Sequence, residues 1–336
     1  MKITNKSLIL LVALSLCAFN TAYGDGVKKV AQSGMKWLSI PTGARASAMG
    51  GAFTAMDGGT ESVFWNPAGI AHSEGHTFFV NQTQWIADIS VFSSALTFDA
   101  GKFGMIGASL TNVDWGTLNG TRRAATDAGY EETGTFSPTN YAFGLSYGKK
   151  VSSQFSFGGQ VKYIHENLGS NSEGSFDEPS EYTAEMNVVA MDVGTLYYTG
   201  FKDLRFGMSL QNFSKEAKYL AEYFPLPLTF RFGLAMDVMT LMNGGSDHKL
   251  TLAIDALHPR DYSERLHIGG EYQFRDMLFL RAGYKTNYDE ENISFGGGVN
   301  VPISNLILSV NYSYIAFEHF DAVNMISLDF RYLRSE

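Results

Sequence analysis

From about His76 to Tyr332 the chain alternates apolar and polar residues with a period of two. That period belongs to strands with one apolar and one polar face. In one run Leu228, Phe230, Phe232, Leu234 and Met236 alternate with Thr229, Arg231, Gly233, Ala235 and Asp237. In another, Leu266, Ile268, Tyr272 and Phe274 alternate with His267, Gly269, Glu271 and Gln273. Fourteen such runs stand out: 76–85, 89–99, 102–114, 135–148, 151–165, 184–199, 203–213, 227–240, 247–257, 264–274, 277–286, 292–301, 306–317 and 324–333. In two of them, 102–114 and 184–199, either parity leaves Gly or Ala on the apolar face.

A soluble sandwich also alternates, so three further features decide the class. The polar faces carry charges in mid-strand beside Gly and Ala, which suits a crowded polar interior. The apolar faces end in aromatics such as Tyr147, Tyr163, Tyr284 and Tyr332, as the girdles of membrane barrels do. The runs often reach about ten residues, the length of a membrane-crossing strand. Connections after the even-numbered runs are short, whereas Trp115–Gly134, Glu166–Thr183 and Ser214–Leu226, after odd-numbered ones, are long. The pattern predicts an all-β transmembrane barrel of fourteen antiparallel strands. Closure satisfies every backbone group in lipid. With the short turns on the periplasmic side, both termini would lie there.

The segment before the barrel breaks the pattern. Ile40–Ala71 packs Gly, Ala and Ser around a few large apolar residues and closes on Trp65-Asn66-Pro67-Ala68-Gly69. Residues 25–75 are expected to form a small helical plug or hatch, with helices over Ala44–Met56 and near Glu61–Phe64, and 76–336 the barrel. Residues 1–24 read as a cleaved signal peptide: Lys2 and Lys6, the apolar run Leu8–Ala18, then Ala22-Tyr23-Gly24. The lone cysteine, Cys17, leaves with it, so neither a disulfide nor a thiolate metal site is expected. Without Lys2 and Lys6 the chain keeps 23 basic against 34 acidic residues, a net charge of −11, which argues against nucleic-acid binding. No later stretch has about 18 continuous apolar residues, so no membrane helix is expected.

The pattern PTGARASAMGGAF, a short acidic and glycine stretch, then SVFWNPAGIA resembles the N-terminal signature of PorV/PorQ-like outer-membrane proteins. These are similar in turn to FadL-type transporters of long-chain fatty acids, which share an Asn-Pro-Ala element in their hatch. The resemblance implies a fourteen-stranded barrel with one of two roles. PorV-like members of the type IX secretion apparatus bind exported cargo and pass it on, whereas FadL-like members admit hydrophobic solutes. Expected partners are therefore outer-membrane lipid, with secretion proteins and cargo or a hydrophobic ligand. Unlike many such barrels, the chain does not end on an aromatic, since Phe330 is followed by Arg-Tyr-Leu-Arg-Ser-Glu.

No cofactor, metal or enzymatic activity is expected. Gly144-Leu145-Ser146-Tyr147-Gly148 matches the nucleophile elbow but falls inside an alternating strand, where no strained strand-to-helix turn can form. His72-Ser73-Glu74-Gly75-His76 lacks the spacing and helix of a zinc site. Asp289-Glu290-Glu291 and Glu131-Glu132 read as solvated loop acids. Arg205, Arg231, Asp237, Asp255, Glu271 and Arg281 share the inward parity and are expected to form an ion-pair lattice that holds the plug. Arg45, with Trp65, Asn66, Pro67 and Ala68, represents the plug side. Tyr219, Tyr223 and Phe224 on a long loop are candidates for a docking surface.

Overall fold

The computed structural model describes residue 30 and residues 32–175, 178–219, 221–241 and 247–333; the expected signal peptide, with Cys17, lies outside them. The wall begins with β1 (His76–Gln84), β2 (Ser90–Asp99) and β3 (Met105–Asp114). A loop hairpin follows, β4 (Leu118–Arg123) with β5 (Tyr130–Phe136). The wall continues through β6 (Thr139–Lys150), β7 (Phe155–Ser175), β8 (Glu178–Tyr198) and β9 (Arg205–Ser214). A second small hairpin pairs β10 (Ala217–Tyr219) with β11 (Glu222–Phe224). The remaining strands are β12 (Thr229–Asp237), β13 (His248–Pro259), β14 (Arg265–Phe274), β15 (Leu278–Lys285), β16 (Glu291–Ile303), β17 (Leu306–Phe317) and β18 (Val323–Tyr332).

Leaving out the two loop hairpins, the other fourteen strands form one closed antiparallel barrel, each corresponding to one predicted run. β1 closes on β18, with His76 opposite Tyr332 and Gln84 opposite Asn324. The alternation reads out as predicted: Phe78, Leu96, Ile106, Leu145, Met208 and Ile326 are exposed on the outside. Thr77, Ser93, Ser146, Ser209 and Ser327, their inward-facing counterparts, are buried. Aromatic contacts lie near both rims on the outer face. His76 stacks on Phe98 at 4.4 Å near the short turns, and Tyr141 stacks on His165 at 4.7 Å near the long loops. The two uncertain runs resolve to Ile106, Ala108 and Leu110 outward on β3, and to Val189, Met191 and Val193 outward on β8.

Four details differ from the pattern. The loop read over Glu166–Thr183 is largely strand, because β7 and β8 stay paired past the barrel rim through a register shift between Asn167 and Ser170. The run 135–148 starts late, since Tyr130–Phe136 belongs to the loop hairpin and the barrel strand resumes at Thr139 after Pro138. In the plug, the helix expected over Ala44–Met56 stops at Ala48. Gly50 and Gly51 take φ of +66° and +71°, a left-handed pair that no helix continues through. Thr60–Phe64 and Pro67–His72 are 3₁₀ turns, the second capped by the Asn66 side chain.

The plug runs through the lumen from one rim to the other. Met35 and Trp37 are buried in a cluster with Val91, Val113, Ile164 and Met186 at the long-loop rim, and the chain reaches the short-turn rim at His76. The described part of the plug therefore begins at the rim away from Tyr332. The physical reason is local: Trp37 and Met35 find their apolar partners only under the long loops.

Candidate functional site

The plug is bonded to the wall through charged and polar side chains that point inward. Glu271 on β14 faces Arg281 on β15 directly across the ladder. Its carboxylate accepts Arg45 Nε and Nη2, both at 2.8 Å, and Arg281 Nε at 2.6 Å. Asp255 on β13 accepts the backbone N–H groups of Phe53 and Thr54 at 3.0 and 2.9 Å. Arg205 on β9 donates to Ala55 O at 2.8 Å and pairs with Asp57 at 3.2 Å. Arg231 on β12 lies over the Trp65 ring at 5.0 Å and donates to Gln211. Asp237 takes no part in this set: it accepts Met239 N and Leu250 N and ties together the turn after β12.

The Asn-Pro-Ala element is bonded on both sides. Asn66 Nδ2 donates to Thr54 O at 2.7 Å and to Thr195 O on β8 at 3.0 Å, while its Oδ1 accepts Ala68 N at 3.1 Å. Trp65 Nε1 donates to Thr42 O at 2.8 Å, and Ser209 and Gln211 donate to Trp65 O. Such close approach needs glycine on the wall. A Cβ at Gly194 would lie 1.9 Å from Asn66 Oδ1, and one at Gly283 would lie 2.0 Å from Gly50 N. Pro67 and Ala68 also pass close to β7, where a Cβ at Gly158 would lie 2.4 Å from Pro67 O and 2.5 Å from Ala68 N. Glu61 accepts Ala46 N at 2.9 Å within the plug; nothing in its spacing distinguished it from a helix-start acid.

Of the three docking candidates, only Tyr223 projects outward, at 63% exposure. Tyr219 and Phe224 pack against the cluster that holds Met35 and Trp37, because Ala217 and Leu226 on either side are buried there. Ser146 lies within β6 and accepts Gln160 Nε2 at 2.8 Å, far from the context of a nucleophile elbow. His72 contacts Ser156 while His76 stacks on Phe98, so the two histidines do not converge. Among the described residues no group of three His, Cys, Asp or Glu could hold a metal ion. Glu291 pairs with Lys285 at 2.9 Å and Glu290 with His319 at 3.1 Å, so the loop acids are partly engaged. Glu131 pairs with Arg122 across the loop hairpin.

Above the plug, at the long-loop rim, lies a cavity of about 630 Å³. Its floor is Gly51, Phe64 and Trp65, and the segment Lys36–Thr42 runs along one side. Sequence reading named Arg231 and Trp65 of its lining but missed Arg265, Lys285, Trp37 and Trp85. Arg265 and Lys285 share the inward parity of His267 and Arg281, a signal the alternation did carry. Trp37 and Trp85 are brought in by loop closure, which leaves no periodic trace.

The segment beside the cavity is fastened at Asp261, which accepts Ser33 Oγ and, at 2.9 Å, Lys36 Nζ. Burial alone would push the Asp261 carboxyl up, but these two bonds hold it below its usual range. A depressed carboxyl stabilises the docked form above its unfolded titration range and loses that contribution as pH falls through the folded value. Docking is thus expected to persist from neutral pH to below the ordinary aspartate value of about 3.9. Amide exchange at Gly34–Leu38, followed downward in pH, checks this. In Asp261→Asn the same amides are expected to exchange faster already at neutral pH; unchanged exchange would refute the fastening role.

A closed fourteen-stranded antiparallel barrel with a bonded internal plug defines the fold of an outer-membrane β-barrel. The fold is similar to the toluene transporter TodX of Pseudomonas putida, with a TM-score of 0.55 and 13% identity over 86% of this chain and 96% of that one. It is also similar to a FadL homologue of Pseudomonas aeruginosa, with a TM-score of 0.53 and 12% identity over 87% and 98%. Residues 128–323, more than half of the chain, match the family described as type IX secretion system membrane protein PorP/SprF, and the chain belongs to that family. No curated protein matches it. The family match lies entirely in the barrel and its loops, whereas the signature Pro41–Ala71 lies in the plug.

Proposed function

We propose that this chain works as an outer-membrane component of type IX secretion that binds or hands on exported cargo at its long-loop face, as PorV-type members do. The long loops then face outward and the short turns face the periplasm. One observation carries the reading: the lumen is filled by a segment bonded to β8, β9, β13 and β14, so the accessible working surfaces are the rims. Exposed Tyr223, on its loop hairpin, supplies an aromatic anchor of the kind that dominates binding energy.

Co-purification from outer membranes tests this. Secretion components and cargo are expected with the native chain, and at least several-fold less cargo with Tyr223→Ala, whose barrel is untouched. If no such partner co-purifies, and deletion of the chain leaves cargo export intact, the reading fails. The rival reading is FadL-like uptake of fatty acids or other hydrophobic solutes. It draws support from the cavity above the plug and requires that the Asn66-Pro67 element move to open a path.

A further inference from the structure

The cavity above the plug has a composition that neither reading explains. The chain has four tryptophans, and all four (Trp37, Trp65, Trp85 and Trp115) line it. Tyr262 and Tyr288 add two more rings. Most of the lining cations are matched: Lys36 to Asp261, Lys162 to Asp192 and Lys285 to Glu291, each at 2.9 Å. Arg231 and Arg265 are different. Neither forms an ion pair among the described residues: Arg231 donates to Gln211 within electrostatic reach of Asp255, Arg265 is held by aromatic rings, and Asp289 and Glu290 line the same cavity. Arg231 sits over Trp65, and Arg265 lies between Tyr262 at 4.3 Å and Tyr288 at 3.9 Å.

Register places the two arginines together. Arg231 faces Leu257, and Leu257 faces Arg265, so they occupy one inward row two strands apart, about 10 Å at the usual strand spacing. Arg265 Nε and Trp115 Nε1 are buried without a hydrogen-bond partner. Both atoms are closed off from solvent, which costs stability. Hydroxyls and amides line the cavity as well: Ser109, Thr111, Gln160, Gln211, Asn212 and Thr229.

We infer that this cavity binds an acidic saccharide. Guanidinium forks recognise a planar carboxylate or a phosphate in two-point fashion. Flat indole and phenol rings cover the apolar faces of sugar rings, and the amide and hydroxyl side chains take up ring hydroxyls. The plug floor gives an acyl chain no channel to follow. The volume of about 630 Å³ falls within the range of ligand pockets, roughly 300–1,000 Å³. The inference stands apart from the secretion reading and does not require it.

Because every tryptophan lines the site, intrinsic fluorescence reports on it directly. The full-length protein in detergent is titrated with trigalacturonate and with glucose 6-phosphate, which separate carboxylate from phosphate recognition. Maltotriose and palmitate serve as the neutral and acyl probes. A saturable change with at least one acidic sugar is expected, with affinity at least tenfold weaker for maltotriose. Arg265→Gln, which touches no plug residue, is expected to weaken the acidic probe at least tenfold while leaving the circular dichroism of the barrel unchanged. The proposal is overturned if neither acidic sugar gives a saturable signal. It is equally overturned if palmitate binds more tightly than both, if maltotriose binds as well, or if Arg265→Gln binds like the native chain.

Discussion

Replacing Glu271 with alanine is expected to free the plug and make the barrel conduct ions. The Glu271 carboxylate is the shared acceptor for Arg45 on the plug and Arg281 on the wall. Both Glu271 and Arg281 are almost wholly buried, at 3% and 2% side-chain exposure. Without the carboxylate, two guanidinium groups remain side by side in the lumen with their mutual repulsion uncompensated. Breaking a buried pair by removing one partner costs about 3–5 kcal/mol, much of it the burden of the stranded charge. That is a sizeable part of a typical folding free energy of about 5–15 kcal/mol. The wall should survive, because its ladder of backbone hydrogen bonds does not involve this side chain. The loss therefore falls on the docking of the plug. Planar-bilayer recordings would show frequent openings where the native chain is closed, and Glu271→Gln, which keeps the shape and part of the bonding, would fall between. Closed behaviour in Glu271→Ala would mean that the plug does not depend on this clamp.

The second large effect is expected at Asn66. Its side chain makes three hydrogen bonds, two within the plug and one to Thr195 on the wall. Asn66→Ala leaves the carbonyls of Thr54 and Thr195 and the N–H of Ala68 in need of partners, at about 1–3 kcal/mol for each group that stays dry. No neighbour can fill the gap, since the facing wall position is Gly194. Local opening of Pro67–His72 is then expected to rise, with amide exchange there faster by about two orders of magnitude and the β-strand amides unchanged. Equal exchange in the two proteins would reduce Asn66 to a passive turn residue. The same substitution bears on the uptake reading, because a hatch that must open through this element would open more readily once loosened.

The wall was legible because the side-chain period of a strand is two, so each run states its own inward and outward faces without knowledge of its neighbours. Inward charges could be named for the same reason. Which plug residue met which charge was not legible. Arg45 reaches Glu271 across a sequence separation of 226 residues, and no local pattern encodes that distance. Asp237 shows the opposite limit: its parity was inward, yet it closes a turn at the rim, because parity gives the face but not the height within the barrel. Tyr219 and Phe224 read as loop aromatics and turned out to be packed, since loop residues are buried only when other loops cover them.

By itself the sequence determined the fourteen strands, their faces, the alternation of short and long connections, and a small-residue segment unlike the rest. These follow from local chemistry repeated at a fixed period. Only the tertiary structure decided that this segment threads the lumen from the long-loop rim to His76, that Glu271 clamps it, and that four distant tryptophans and two arginines without an ion pair share one cavity. Those outcomes depend on which strands closure makes neighbours and on how far the backbones approach at Gly194 and Gly283. Such contacts join residues far apart in the chain, and their cause is the shape of the closed barrel.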